Sequence, residues 1–367
     1  MRIRAAVARA RSEPLVIEDL ELEEPVGDEV LVRVVATGIC QTDSHVWNQR
    51  IPAPLPLVPG HEGAGVVERI GPSVTELRPG DHVVLSFQAC GHCEQCLSGH
   101  PAFCDSAFAA NFAGARLDGT RGIRRTDGGG IHGHFFGQSS FATYALATQR
   151  NAVKVPDDVP LDMLGPLGCG LQTGAGAVLN SFAVPAGSSV AVIGVGAVGF
   201  GALMAAHLSG AATVIAVDVN PQRLALAAEL GATHVIDARR THVAEEIKRI
   251  TGRGVAYALD TTGRADMIDH AVDALATAGQ AGLVAGSEDA RIPTAKLGLG
   301  MSVRGIVQGD SNPRLFIPKL IQLYRSGRFP FDRLVRFYDF DDINTAFADA
   351  ARGDVIKPVL RMTDIDD

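Results

Sequence analysis

The sequence lacks a basic surplus. Its 33 Lys and Arg residues stand against 41 Asp and Glu, giving a formal net charge of −8. A nucleic-acid binder needs a basic face, so that class of partner is excluded. Low-complexity tracts and long runs of like charge are missing too. With 46% hydrophobic and 20% charged residues, the chain has the composition of an ordered globular protein. At 367 residues it is long for one core, and two domains are expected. The Arg-rich opening MRIRAAVARARSEP has too short an apolar run for a signal sequence, and Glu13, Glu18 and Asp19 follow at once, so a cytoplasmic protein is expected. Long apolar runs are nearly absent. Ser188 to Val217 holds no Asp, Glu, Lys or Arg, but Gly194, Gly196, Gly199 and Gly201 interrupt it. It reads as strand, glycine turn, helix and strand in a buried core, not as the roughly 20-residue apolar helix that spans a membrane.

What is present is ordered in two styles. The first third shows strand-length runs at 30–39, 64–71 and 81–87, separated by turn residues such as Pro79-Gly80-Asp81. Residues 105–137 have weak periodicity and read as a long loop. From about 171 strands and helices alternate: SVAVIGVG, a helix at 198–209, TVIAVDV, a helix at 221–230, THVIDA, a helix at 242–251, AYALDTTG, the helix ADMIDHAVDAL and the strand GQAGLVAG. This alternation predicts a parallel, doubly wound α/β sheet. An amphipathic helix at 315–326 and strand-like pieces ending in KPVLRM follow, and this tail is expected to return to the first domain. The predicted divisions are 1–170, 171–307 and 308–367.

Cysteine is scarce, with six in all. Cys90, Cys93, Cys96 and Cys104 read C-x2-C-x2-C-x7-C. Four thiolates this close can surround one Zn²⁺ tetrahedrally. An iron–sulfur cluster is the rival ion, and a cytosolic chain disfavours disulfides. Cys40, in GICQTDSH, and Cys169, in GPLGCGLQTGAG, have no such spacing, and either alone reads as an ordinary buried residue. His61 and Glu62 stand in PGHEGAGVV as further candidate ligands. His92, His100, His132 and His134 are assigned no role.

Gly194-Val195-Gly196-Ala197-Val198-Gly199 follows a predicted strand and opens a predicted helix, and Asp218 ends the next strand. In that context the glycines predict a dinucleotide turn, with pyrophosphate at the helix N-terminus. The carboxylate of Asp218 suits the ribose hydroxyls of NAD and repels the additional phosphate of NADP. Arg223 lies close by and can tolerate a phosphate, but the acid is expected to dominate.

GICQTDSH, PGHEGAGVV, the four-cysteine lobe, GPLGCGLQTG and VAVIGVGAVG occur here in the order found in the zinc-containing medium-chain alcohol dehydrogenases, which the whole chain resembles. FFGQSSFATYA, GPLGCGLQTGAG and GRFPFDRLVRFYDFDDIN look most like the bacterial aryl-alcohol (benzyl alcohol) dehydrogenases. The resemblance implies a GroES-like, mainly β catalytic domain and a Rossmann cofactor domain, with two Zn²⁺ per chain and NAD. It implies that Cys40, His61 and Cys169 hold a catalytic zinc and the lobe cysteines a structural one. Glu62 would stand beside the catalytic metal, and Asp43 would orient the ring of His61. Thr42 would take the proton of the alcohol and His45 would pass it to solvent. Thr173 would meet the nicotinamide, and Lys357 matches a place where some relatives bind phosphate. Ile51, Phe87, Phe135, Phe136 and Val307 would line the substrate pocket. One departure is Gln41, where many relatives carry a basic residue facing the pyrophosphate.

The implied reaction is reversible oxidation of a benzyl-type primary alcohol to its aldehyde. Geraniol-type allylic alcohols fit the same residues. Glutathione-dependent formaldehyde oxidation is a second enzyme reading, because Arg116, Arg121, Arg124 and Arg125 could receive an anionic substrate. A catalytically silent zinc protein is the reading from another class. The long 105–137 segment and a strand near 301–308 point to a homodimer, with a tetramer as the alternative.

Overall fold

A computed structural model describes residues 1–362; the last five residues of the predicted 308–367 segment lie outside the described residues. The chain falls into two compact units. One holds Met1–Cys169, Asn312–Ile321 and Asp332–Asp367, and the other holds Gly170–Ser311 and Gln322–Phe331.

The first unit is built mainly from strands. β1 (Arg2–Val7), β2 (Val16–Leu22), β3 (Glu29–Gly38), α1 (Gln41–Trp47), β4 (Gly63–Ile70), β5 (His82–Leu85), α2 (Glu94–Leu97), α3 (Ala107–Phe112), β6 (Ile123–Arg125), β7 (Tyr144–Thr148) and β8 (Ala152–Lys154) follow in order. The Arg-rich N-terminus is the strand β1. Its Ile3, Ala5 and Val7 are buried, while Arg4 points out to Asp341 at 2.6 Å. β1, β2 and β6 form a small sheet. The larger sheet runs Val335–Asp339, Lys357–Arg361, β3, β4, β5, β8, with β7 also on β3. Two register shifts in the β3–β4 ladder bring Thr37 opposite Gly63, so the chain leaves β3 for residues 39–40 beside the point where 61–62 enters β4. Lys357–Arg361 pairs with the same end of β3, Val359 facing Gly38. Three distant stretches of sequence therefore meet at one sheet corner.

The second unit contains α4 (Gly170–Gly176), β9 (Ser189–Ile193), α5 (Ala197–Leu208), β10 (Thr213–Asp218), α6 (Pro221–Glu229), β11 (His234–Asp237), α7 (Val243–Thr251), β12 (Val255–Asp260), α8 (Ala265–Asp273), β13 (Leu275–Leu283) and β14 (Ser302–Gly305). All six strands are parallel, in the order β11-β10-β9-β12-β13-β14. This is the doubly wound order of dinucleotide-binding sheets, which reverses between β9 and β12. The charge-free stretch is β9, a glycine turn, α5 and β10. Among the described residues, no helix is long and apolar enough to cross a membrane.

The segment expected to be one long loop is more structured than its pattern suggests. It contains α3 and β6, and ion pairs pin it. Arg116 Nε and Nη2 donate to the Glu29 carboxylate at 2.6 and 3.2 Å, and Nη1 reaches Glu23 at 3.3 Å. His134 lies beneath, its Nε2 accepting the Gly122 N–H at 3.2 Å. Burial, then the charge of Arg116, lowers its pKa to about 4. The folded value lies below the unfolded one near 6.5, so the folded state binds fewer protons between the two. Stability from this site is present above about pH 6.5 and is lost as pH falls toward 4. His134→Gln, which keeps an acceptor for Gly122, should therefore lose less stability between pH 7 and 4.5 than the parent, by on the order of 2 kcal/mol. Urea titrations at the two pH values measure this.

Candidate active site

At the sheet corner described above, Cys40 follows the end of β3 and His61-Glu62 precede β4. Cys169 reaches the same place through close packing. A Cβ at Gly165 would clash with the Glu62 carbonyl, and one at Gly168 with the carbonyl of Leu85. Ser86 Oγ donates to the Gly168 carbonyl at 2.7 Å. One ligand atom each from Cys40, His61, Glu62 and Cys169 then lies within 4.8 Å of the others.

The ring of His61 is completely buried. Its Nδ1 lies 2.9 Å from Asp43 Oδ1, and the same carboxylate accepts the N–H groups of Gly60 (3.1 Å) and Cys40 (2.9 Å). Asp43 sits in the first turn of α1, where a carboxylate suits the helix dipole. An acceptor at Nδ1 fixes the tautomer that leaves Nε2 with a lone pair. That Nε2 is buried with no hydrogen-bond partner among the described residues. An orphaned imidazole nitrogen beside two thiols and a carboxylate is costly unless a cation fills the space, and two Cys with one His are soft and borderline donors suited to Zn²⁺. Sharing a hydrogen with Cys169 holds the Cys40 thiol well below its usual range, and the same contact pushes Cys169 well above it.

Lys357 departs from expectation. In place of a surface facing a cofactor phosphate, it is 2% exposed, with Nζ donating to Glu62 Oε1 (2.9 Å), Oε2 (2.8 Å) and the Ile39 carbonyl (2.9 Å). Burial raises the pKa of Glu62, and the Lys357 charge opposes that. The cause is the pairing of Val359 with Gly38, which turns Lys357 inward. Its ammonium offsets part of the cost of burying the Glu62 carboxylate.

The four lobe cysteines also come within 4.8 Å of one another through their ligand atoms, wrapped around α2. Their surroundings split them. N–H donation from Asp105 and Cys96 lowers Cys93 to about 6, while burial raises Cys96 to about 12. A divalent cation would hold all four as thiolates.

In the second unit, Gly194 follows β9 at φ 86°, and a Cβ on Gly199 would strike the Gly194 carbonyl. A Cβ on Gly196 would meet nothing within 4 Å, so the turn is open at its middle glycine. Asp218 Oδ2 accepts the Val195 N–H, and Oδ1 those of Val219 and Asn220, each at 2.8 Å. Thr261, at the end of β12, donates to the Gly194 carbonyl at 2.7 Å, a brace that no motif signals.

Residues 27–157 match the alcohol dehydrogenase GroES-like domain, and residues 197–325 match the zinc-binding dehydrogenase domain. Geraniol dehydrogenase of Castellaniella defragrans is 46% identical over 97% of this chain and 96% of its own length. A crystal structure of benzyl alcohol dehydrogenase from Acinetobacter calcoaceticus superposes with a TM-score of 0.95 at 47% identity, covering 99% of this chain and all of that one. An alcohol dehydrogenase zinc-binding domain protein from Burkholderia ambifaria gives 0.97 at 54%, with the same coverage. The chain belongs to the zinc-containing medium-chain alcohol dehydrogenases.

As a dehydrogenase of that family it uses zinc and NAD. Thr42 Oγ1 lies 3.9 Å from Cys40 Sγ. His45 stands one turn on, Nε2 3.3 Å from Gln41 Nε2. Burial and Arg50 lower its pKa, so it is neutral and able to accept a proton. Thr173 Oγ1 approaches Gln308 Oε1 at 3.5 Å within the second unit. Arg223 lies in the first turn of α6, its Nε buried without a partner among the described residues. Phe87, Phe135 and Phe136 form one apolar cluster with Val46, Leu57 and Ala102, against which Ile51 and Phe112 pack. Phe112 was not singled out in the sequence; it lies in α3, inside the supposed loop. Val307 belongs to the second unit and is half exposed.

Replacing Lys357 by Met leaves Glu62 buried without its cation. Breaking such a pair costs about 3–5 kcal/mol, which denaturant titration should show. Lys357→Met with Glu62→Gln should recover most of that loss, since both charges are then gone.

Proposed function

We propose that this dehydrogenase oxidises a primary alcohol bearing a planar apolar group, benzyl-type before all others, to its aldehyde, with hydride transfer to NAD. One observation carries the choice: the candidate ligand His61 is faced by rings, Phe136 stacked on it at 4.4 Å between centroids and Phe135 edge-on at 5.5 Å. A site walled this way favours flat apolar substrates.

In this reading Cys40, His61 and Cys169 hold the catalytic zinc, and Cys90, Cys93, Cys96 and Cys104 the structural one. Zinc supplies Lewis-acid polarisation of the substrate oxygen when bound. Thr42 takes the hydroxyl proton and the neutral His45 passes it on. Asp43 holds His61 in its ligating tautomer, and Glu62 stays beside the metal, restrained by Lys357. Gly194, Gly196 and Gly199 receive the pyrophosphate, Asp218 the ribose hydroxyls, and Thr173 the nicotinamide. Arg223 is within the same turn region, and the acid at 218 selects NAD over NADP. Ile51, Phe87, Phe135, Phe136 and Val307 are assigned to substrate binding.

Geraniol-type alcohols remain the second substrate class, supported by the similarity to a geraniol dehydrogenase. The glutathione reading is weakened by the loop arginines. Arg116 is committed to Glu29 and Glu23, Arg124 to Glu21, and Arg125 to Asp127 and Glu18, so three of the four cations already have carboxylate partners. A cytoplasmic homodimer fits the reading, with β14 as the edge strand of its sheet.

A substrate panel tests the assignment. Benzyl alcohol should give kcat/KM at least about ten-fold above ethanol, since burying a ring contributes more than 1.4 kcal/mol. Comparable values for the two would defeat the proposal. NAD should outperform NADP, formaldehyde with glutathione should react no better than formaldehyde alone, and the purified chain should carry two zinc ions.

A further inference from the structure

The ring of His61 is held in two ways. Asp43 grips its edge through Nδ1. Phe136 lies flat on one face, 26° from parallel, and Phe135 meets it at 87°. The two contacts do different work. A hydrogen bond to Nδ1 fixes that atom but leaves the ring able to swing about the bond, because the terminal torsion of a histidine has a broad, shallow preference. A flat ring against the face removes that freedom.

Phe136 occupies its place at a cost. His134, Phe136 and Ser139 have φ of 56°, 53° and 52°, left-handed values that side-chain-bearing residues adopt only where the surroundings impose them. The imposing contacts are all buried side chains. Ser139 Oγ donates to the Val58 carbonyl (2.6 Å) and accepts from the Phe135 N–H (2.9 Å). Asn151 Nδ2 donates to the carbonyls of Phe136 (3.3 Å) and Gly137 (3.2 Å). Gln138 donates to the His61 carbonyl (3.0 Å) and accepts from the Gly63 N–H (3.1 Å). The strained turn is thus fastened to the same backbone that carries the ligand.

We infer that Phe136 is a positioning residue for the metal centre: held by the turn at 134–139, its ring sets the plane of His61 and so the direction of Nε2. This rests on the assignment of the catalytic zinc to Cys40, His61 and Cys169, and goes beyond the role of Phe136 as a wall for substrate.

The test uses the zinc-loaded enzyme, and its deciding readouts need no substrate. Zinc transfer to a chromophoric chelator is followed in the parent, Phe136→Leu, Phe136→Met, Phe136→Tyr and Phe87→Leu, together with visible spectra of the cobalt(II)-exchanged proteins. Losing the flat ring in Phe136→Leu or Phe136→Met should speed release from one of the two sites about ten-fold, the scale typical of groups that orient a ligand, and should shift the cobalt bands. Phe136→Tyr, which keeps the ring, should restore both. Phe87→Leu should release zinc at the parent rate while raising KM for benzyl alcohol. Parent-like release and spectra in both ring-less variants would overturn the inference, even with a raised KM. A parent chain that binds only the four-cysteine zinc would instead remove the reading on which it rests.

Discussion

A corner of the first unit buries Asp43, His61, Glu62 and Lys357, each between 0 and 2% exposed, beside the buried Cys169 and the partly buried Cys40. Burying ionisable groups is costly unless each is compensated, and that constraint organises the site. Asp43 is balanced by a ring N–H and two backbone N–H groups. Glu62 and Lys357 balance each other. The Nε2 of His61 has no hydrogen-bond partner among the described residues, and beside the two thiols it marks a place that a divalent cation could fill. Lys357 is thus part of the electrostatic frame of the candidate metal site, because its ammonium is the buried counter-charge of Glu62.

The glycine turn meets a similar requirement with backbone in place of side chains. Asp218 accepts three N–H groups, one of them from Val195 inside the turn. The residue expected to meet the ribose therefore also holds the turn in shape, and Thr261 braces it from the neighbouring strand. The geometry of the turn thus rests on the carboxylate proposed to select the cofactor.

Features written in local spacing were legible in the sequence. The four-cysteine lobe, the glycine turn and the βα alternation each occupy contiguous residues whose periodicity is set by their own geometry. Features made by distant pairing were not. β1 was masked by arginines on its outward positions; the C-terminal strand pieces and their return to the first unit were legible, but not that Lys357–Arg361 pairs with β3. α3 and β6 hid in the weak pattern of 105–137 because ion pairs to β2 and β3, such as Arg116 with Glu29, hold that segment more than apolar periodicity does. Lys357 was assigned to a phosphate by resemblance, since nothing near it in sequence points to a carboxylate 295 positions earlier.

The pairing of Lys357–Arg361 with β3 also orders events during synthesis. The second unit is nearly continuous in sequence and its strands add to neighbours, so it can close while the ribosome is still working. The first unit cannot. The end of β3 lacks its partner strand, and Glu62 its counter-charge, until Lys357–Arg361 has been made, because contacts so far apart in the chain form late. The counter-charge of Glu62 thus joins the corner only after the chain has grown 295 positions past Glu62.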